Sequence, residues 1–291
     1  MGGSQTYLRG LTGMVRRVVF GDEPRSKLAN WSGRFALFGL VVAMLSFIIV
    51  RSGLLEIAPA LATFAAALIF AGLAVLLAFA SFVVIWRQGL KGLGRALMGL
   101  FLGLLLLAYP GYLGYRATVL PAINDVTTDP DNPPRFDALL RARPVGRVNY
   151  PGAKTAALQR AAYPDVAPLQ LSVPPKTAYD IALALVTKRK WRIADARPPA
   201  AGRRDATIEA VAQTMIMGFR DDVVIRISPV GPGSRVDVRS ASRFGEHDFG
   251  ANASRVRSLL EDIDDAAGSA PEPKPEPEKK GAAKKTPGKK K

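Results

Sequence analysis

Hydrophobic positions along this chain fall into two regimes. In the first, polar residues disappear altogether. Thirty consecutive residues between Glu56 and Arg87 carry no formal charge, and twenty more lie between Arg95 and Arg116. At ~1.5 Å per helical residue, both stretches are long enough for a ~30 Å hydrocarbon core. An earlier run, Phe35 to Val50, has sixteen uncharged residues, or about 24 Å. Trp31 and Leu54–Leu55 extend it, with Arg34 and Arg51 reaching back to the headgroups. The pattern predicts three transmembrane helices within residues 31–116. A signal peptide with "ALA" at 60–62 as its cleavage site fits less well, because the leader is long and another hydrophobic span follows at once. Small residues recur at four-residue spacing, at Gly99 and Gly103, Ala67 and Ala71, Ala74 and Ala78, which suits close helix packing. The spans contain no internal charge to mark an ion path, so they read as an anchor.

In the second regime polar and apolar positions alternate. Residues 117–160 contain "PAINDVTTDPDNPPRF" and "RPVGRVNYPG", whose Pro, Asn and Asp favour turns and extended chain. This segment is expected to lie as a strap along the following domain. Its Asp125, Asp129 and Asp131 lack the spacing of a Ca²⁺ loop. From 161 to 267 the pattern predicts a strand ("PLQLSV"), a helix ("PPKTAYDIALALVTKRK") and four strands. A final helix carries Val256, Leu259, Leu260 and Ile263 on one face, capped by Asp248 or Asn252. The order β-α-β-β-β-β-α implies an α+β fold: an antiparallel sheet with both helices on one face and a polar opposite face. Val223, Ile225 and Ile227 share one side of a hairpin closed by "PVGPG". Pairing 228 with 235 sets Arg226 across from Asp237, with Asp222 and Arg239 farther along the same face. A shift of two would oppose Arg226 to Arg239, a like-charge contact. These structural pairs are expected to be exposed, each contributing ~0.2–1 kcal/mol.

Charge changes the picture only after it is divided. The net charge is +16, yet residues 116–270 hold 22 basic and 18 acidic side chains. The excess lies in segments flanking the spans and in the tail, which argues against a nucleic-acid groove. Arg9, Arg16, Arg17, Arg25, Lys27, Arg34, Arg87, Lys91 and Arg95 would share one side of the membrane, against Arg51 and Arg116 on the other. That asymmetry places the N-terminal segment 1–30 in the cytoplasm. The C-terminal domain then lies in the periplasm of a bacterial inner membrane. The absence of cysteine excludes disulfides and thiolate chemistry, and a single histidine, His247, removes most histidine-based catalysis. Residues 268–291, rich in Lys and Pro, read as a disordered tail.

The densest chemistry is "DVRSASRFGEHDFGANASRVRSLL", residues 237–260. Together with "AAYPDVAPL", the Trp191 that opens a strand, and "FRDDVVIRI", it resembles the family catalogued as domain of unknown function 1499. "DVTTDPDNPP" resembles the segment preceding this domain in membrane-anchored bacterial members. The resemblance spans about half of the chain and brings no activity with it.

Three readings of the motif stay open. As a binding site, Arg239, Ser240, Ser242, Arg243, Gly245, Asp248, Gly250 and Asn252 would surround a helix N-terminus, whose N–H groups and dipole favour a phosphate, carboxylate or lipid headgroup. As a turn, Asp248 caps the helix, Arg239 pairs with Asp222 and the glycines bend the chain. As a membrane-tethered hydrolase, Asp221, Asp222 or Asp248 would act as base, with a metal. No nucleophile stands at recognisable spacing from a base, and no cofactor, metal or catalytic residue is assigned. The sequence therefore favours a non-enzymatic envelope protein that scaffolds partners or binds an anion.

Overall fold

In the computed structural model, residues 24–52, 57–142, 149–202 and 205–269 are described. The expected Lys-rich tail and most of the N-terminal segment lie outside them. Contacts divide the chain into two compact units, separated after Pro110.

The N-terminal unit is built on α1 (Lys27–Ser52), α2 (Ile57–Gln88) and the first part of α3 (Leu93–Val119). All three are long and apolar enough to cross a membrane. Their buried positions are small. On α1 they include Ser32, Ala36, Gly39, Ala43 and Ser46, and on α2 Ala67, Ala71, Ala74 and Ala78. The alternating three- and four-residue steps hold one helical stripe toward a neighbour. A Cβ on Gly99 would come within 2.0 Å of Ser32 Oγ, and one on Gly103 within 2.9 Å of the Ala71 carbonyl oxygen. The Ser32 hydroxyl donates to the Ala74 carbonyl at 2.8 Å, satisfying a polar group among the helices. Leu37, Phe38, Met44, Leu76, Phe101 and Leu105 point outward.

The C-terminal unit holds β1 (Asp125–Thr127), α4 (Ala153–Ala162), β2 (Leu169–Leu171), α5 (Pro175–Lys188), β3 (Arg192–Arg197), β4 (Ala206–Gln213), β5 (Arg220–Val230), β6 (Gly233–Ser242) and α6 (Ala251–Gly268). The six strands form an antiparallel sheet in the order β1-β6-β5-β4-β3, with β2 pairing β6 beyond β1. The expected element order lacked two of these pieces. β1 is three residues long, too short to show alternation, and exists through its pairing with β6. Helix α4, "AKTAALQRAA", occupies ten residues where turns and extended chain were expected. Its alanines have high helix propensity, and the Pro–Gly pair just before it marks the start.

One face of the sheet is apolar. Ile208, Val223, Ile225, Ile227, Val236 and Val238 pack with Ala178, Ala182 and Val186 of α5 and with Val256, Leu259 and Ile263 of α6. Pro175 begins α5, where its missing N–H is harmless.

The opposite face departs from expectation. It is polar in sequence but buried, because residues 128–142 lie across it. Phe136 and Leu139 cover Val211, Val224 and Ala241. The Glu209 carboxylate accepts the backbone N–H groups of Asp137, Ala138 and Leu139 at 2.9–3.1 Å. A buried carboxylate is tolerable when donors converge on it in this way. The β5–β6 register pairs Ser228 with Arg235, Arg226 with Asp237 and Val224 with Arg239. The Arg226–Asp237 pair, expected to be exposed, is not: Asp237 is buried and takes bonds from Arg226 (3.0 Å) and Arg235 (3.0 Å).

Candidate functional site

The motif begins on the polar side of β6, where alternation sends Asp237, Arg239 and Ala241 to the face covered by the strap. Arg239 is 2% exposed. Its guanidinium grips Asp125 in a two-point pair, Nε to Oδ1 at 2.9 Å and Nη2 to Oδ2 at 2.7 Å. Nη1 donates to the Pro134 carbonyl at 3.1 Å, and the cation lies over the Phe136 ring at 4.8 Å. Tyr150 lies on the same cation, and burial pushes its phenol up to about 12. The expected Arg239–Asp222 pair is therefore replaced. Asp125 of β1 takes Arg239, while Asp222 takes Arg243 through Nε (2.9 Å) and Nη2 (2.7 Å).

Ser240 and Ser242 face the other way, toward α6. Asn252, fully buried at the helix start, accepts from the Ser240 hydroxyl at 2.7 Å. It donates to Ser242 Oγ at 3.0 Å and to the Asn124 carbonyl at 3.1 Å. Arg255 completes the cluster. It donates to Ser240 Oγ and Asn252 Oδ1, and its Nη2 meets Asp221 Oδ2 at 2.6 Å. Arg255 and Asn124 were not among the expected site residues. Arg255 lies one helical turn beyond Asn252 and inside the 237–260 motif, and that place was the signal that could have found it.

Between strand and helix the chain turns on glycine. Gly245 (φ 83°) and Gly250 (φ 77°) occupy the left-handed region. Gly250 is also short of space, since a Cβ there would come within 2.7 Å of Arg116 Nη2. Asp248 caps α6, accepting the N–H of Gly250 at 2.8 Å and of Asn252 at 2.9 Å. Burial raises its pKa, and the two N–H groups and Asn252 oppose that rise.

His247, the single histidine, is tied down. Its ring stacks on Phe249 with centroids 4.6 Å apart. Nδ1 accepts the Phe249 N–H, so Nε2, 3.2 Å from the Leu120 carbonyl, carries the proton that bonds it. Arg116, in the last turn of α3, donates to the Phe249 carbonyl at 2.9 Å. The eight expected site residues thus fall into two clusters on opposite faces of the sheet: Arg239 with Asp125 and Arg243 with Asp222 on the strap side, and Ser240, Ser242, Asp248 and Asn252 with Asn124, Asp221 and Arg255 on the helix side, with Gly245 and Gly250 in the connecting turn.

Both clusters are electrostatically closed. Arg239, Arg243 and Arg255 each face a carboxylate, and Asp248 already takes the N–H groups of Gly250 and Asn252 at the start of α6. Among the described residues, no group of three His, Cys, Asp or Glu side chains could hold a metal ion. An open cavity of about 330 Å³ is lined by Asp129, Asp131, Gln159, Arg160 and Arg235, and Arg235 also pairs with Asp237 at the start of the motif. The cavity's charges pair as well, Arg160 with Asp131 and Arg235 with Asp129, each at 2.6 Å.

An antiparallel sheet with two helices on one face, following three long apolar helices, defines the class of protein. Residues 125–263 match the family described as Protein of unknown function (DUF1499), which shows over that range the resemblance drawn from the motif. The match begins at Asp125, the partner of Arg239. The chain is also similar to the crystal structure of TTHA0849 from Thermus thermophilus, at 15% identity and a TM-score of 0.21, over 35% of this chain and 95% of that one. So low a score carries no argument. No curated protein matches the chain.

Proposed function

We propose that this is a non-enzymatic membrane protein of the bacterial cell envelope, a scaffold whose α+β domain is fixed directly beyond its third span. In this reading α1–α3 insert with the N-terminus in the cytoplasm, and the domain lies on the periplasmic side. The lysines and arginines flanking the spans support that orientation. The observation that carries the scaffold reading is the closure of residues 237–255. Arg239, Arg243 and Arg255 are neutralised by Asp125, Asp222 and Asp221, and Asp248 holds the helix N-terminus. A site that awaited a phosphate or carboxylate would keep a cation or an N–H group open to it. The same pairing speaks against Asp221, Asp222 or Asp248 as the base of a tethered hydrolase, because each is already engaged. The motif then works as a lock: it fastens β1 and residues 245–250, both adjoining the end of α3, to β6 and α6.

Native mass spectrometry of the detergent-extracted protein, with Arg243→Ala beside it, tests the lock. The expected result is a bare wild-type mass and a variant that melts at lower temperature. A small anion retained by wild type and lost from a variant of unchanged melting temperature would replace the scaffold with an anion-binding protein. A phosphatase reporter fused after residue 268 should be active only in the periplasm. Cytoplasmic activity of a reporter there would reverse the orientation.

A further inference from the structure

The register places three features at one end of the sheet. β6 ends at Ser242 beside Asp221, near the start of β5, and β1 starts at Asp125 beside Ala241. The β4–β5 connection closes at that same end, where Gln213 pairs with Arg220. Only residues 120–124 separate β1 from the last residue of α3. Within the C-terminal unit this end is therefore the one nearest the exit of α3.

The exit of α3 carries the marks of a membrane–water interface. Tyr112 and Tyr115 are exposed on its last turns, and Arg116 Nη1 donates to the Tyr112 hydroxyl at 2.7 Å. Aromatic rings with a polar edge, and an arginine beside them, favour the headgroup level. The second terminal nitrogen of Arg116, Nη2, donates to the Phe249 carbonyl, which sets the 244–250 loop near that level.

The apolar groups of the β4–β5 connection adjoin this loop. Phe244 is exposed, and its ring lies 5.9 Å from that of Phe219. Ile216 is exposed, and Met215 is 90% exposed. The connection is nevertheless well formed: the Thr214 N–H bonds the Phe219 carbonyl at 2.9 Å, and the Phe219 N–H bonds Thr214 Oγ1 at 2.9 Å. Gly218, at φ 71°, allows the chain to turn back. Arg220 is exposed at its base. A hydrogen-bonded turn that exposes Met215 and Ile216 at its tip, with Phe and Arg at its foot, has the composition of a shallow membrane contact.

We propose that the β4–β5 turn, with Met215 and Ile216 at its tip and Phe244 beside it, inserts into the headgroup–acyl boundary of the bilayer that α3 leaves. The inference rests on the membrane-anchored reading above. It makes the bilayer a second point of attachment and fixes the tilt of the domain on the membrane.

The native chain has no cysteine, so single-cysteine variants can be labelled selectively. Full-length Met215→Cys, Ile216→Cys, Val230→Cys and Leu105→Cys would carry a fluorophore in nanodiscs of phosphatidylcholine and phosphatidylglycerol, with a bromine quencher high on the acyl chain. Val230 lies at the opposite end of the sheet, and Leu105 faces outward from α3. The expected result is several-fold stronger lipid quenching at 215 and 216 than at 230, with Leu105 also quenched. Quenching at 215 and 216 no greater than at 230, while Leu105 is quenched, overturns this proposal alone. An unquenched Leu105 overturns the anchor and the proposal together. Labels at 215 and 216 shielded from aqueous iodide but untouched by the lipid quencher would assign the turn to a protein partner or second copy and overturn it too.

Discussion

The two units solve opposite packing problems. In the helical unit the buried stripe is Ala, Gly and Ser, and the large side chains such as Leu37, Phe101 and Leu105 point outward. In the sheet domain Ile208, Ile225, Leu259 and Ile263 are fully buried, and so are charges such as Arg239 and Glu209. Water drives large apolar groups inward. An apolar surround removes that force and leaves close backbone contact as the principal gain, which small residues permit. Size therefore selects for burial in the domain and against it in the helices.

The strongest way to break this comparison is to strip a buried charge of its partner. Arg239→Ala leaves Asp125 buried without its cation and should cost ~3–5 kcal/mol, typical of a broken buried pair. Trp191, the single tryptophan after residue 110, reports unfolding of the domain by urea in a Trp31→Phe, Trp86→Phe background. A variant as stable as wild type would show the pair to be incidental.

The next test makes one chemical change in each unit. Leu259→Ala, in the core between helix and sheet, should lose ~2–5 kcal/mol. Leu104→Ala, on the outward side of α3, should leave the melting temperature in detergent nearly unchanged, because detergent fills the space the side chain leaves and no cavity forms. Equal losses at the two positions would show that the same force packs both units.

Enlarging a small residue sharpens the helical side. Gly99→Val would drive a side chain into Ser32 and should destabilise the helical unit by ~1–3 kcal/mol, the range for overpacking. Thermal unfolding followed by helical circular dichroism in detergent reads that loss. Trp191 fluorescence should keep its wild-type urea midpoint.

The smallest effect belongs to an exposed pair. Arg257 hydrogen-bonds Asp165 and holds its carboxyl below the usual carboxylate range. A lowered folded value means stabilisation fully present above the unfolded pKa and lost as pH falls through the folded one. Asp165→Asn should abolish this acid-side loss, a change within ~1 kcal/mol because water screens the pair. Melting curves between pH 2 and 5 would show it as a shallower acid slope.

Local pattern carried much of this molecule. Val223, Ile225 and Ile227 marked one side of β5 and Val236 and Val238 one side of β6, and the opposed charges of Arg226 and Asp237 were enough to choose the β5–β6 register. The Val256, Leu259 and Ile263 stripe marked the buried side of α6. The polar face of the sheet was misread for a physical reason. Alternation reports that two faces differ, and does not report what covers the second one. Burial of Asp237 and Arg239 depends on Thr128 to Ala142 folding back across β5 and β6, with Phe136 and Leu139 as the apolar part of the cover.

The partners of the motif lay equally out of reach. The sequence pointed to Asp222, 17 positions from Arg239, and nothing in local spacing points instead to the Asp125 that lies 114 positions away. By itself, the sequence determined the three long apolar helices, the α+β strand-and-helix pattern and the residue types of the motif, because periodicity and charge act over a few residues. Tertiary structure alone decided which carboxylate meets which arginine. A buried charge accepts whichever partner the fold brings within 3 Å, and here β1, placed against β6, brings Asp125.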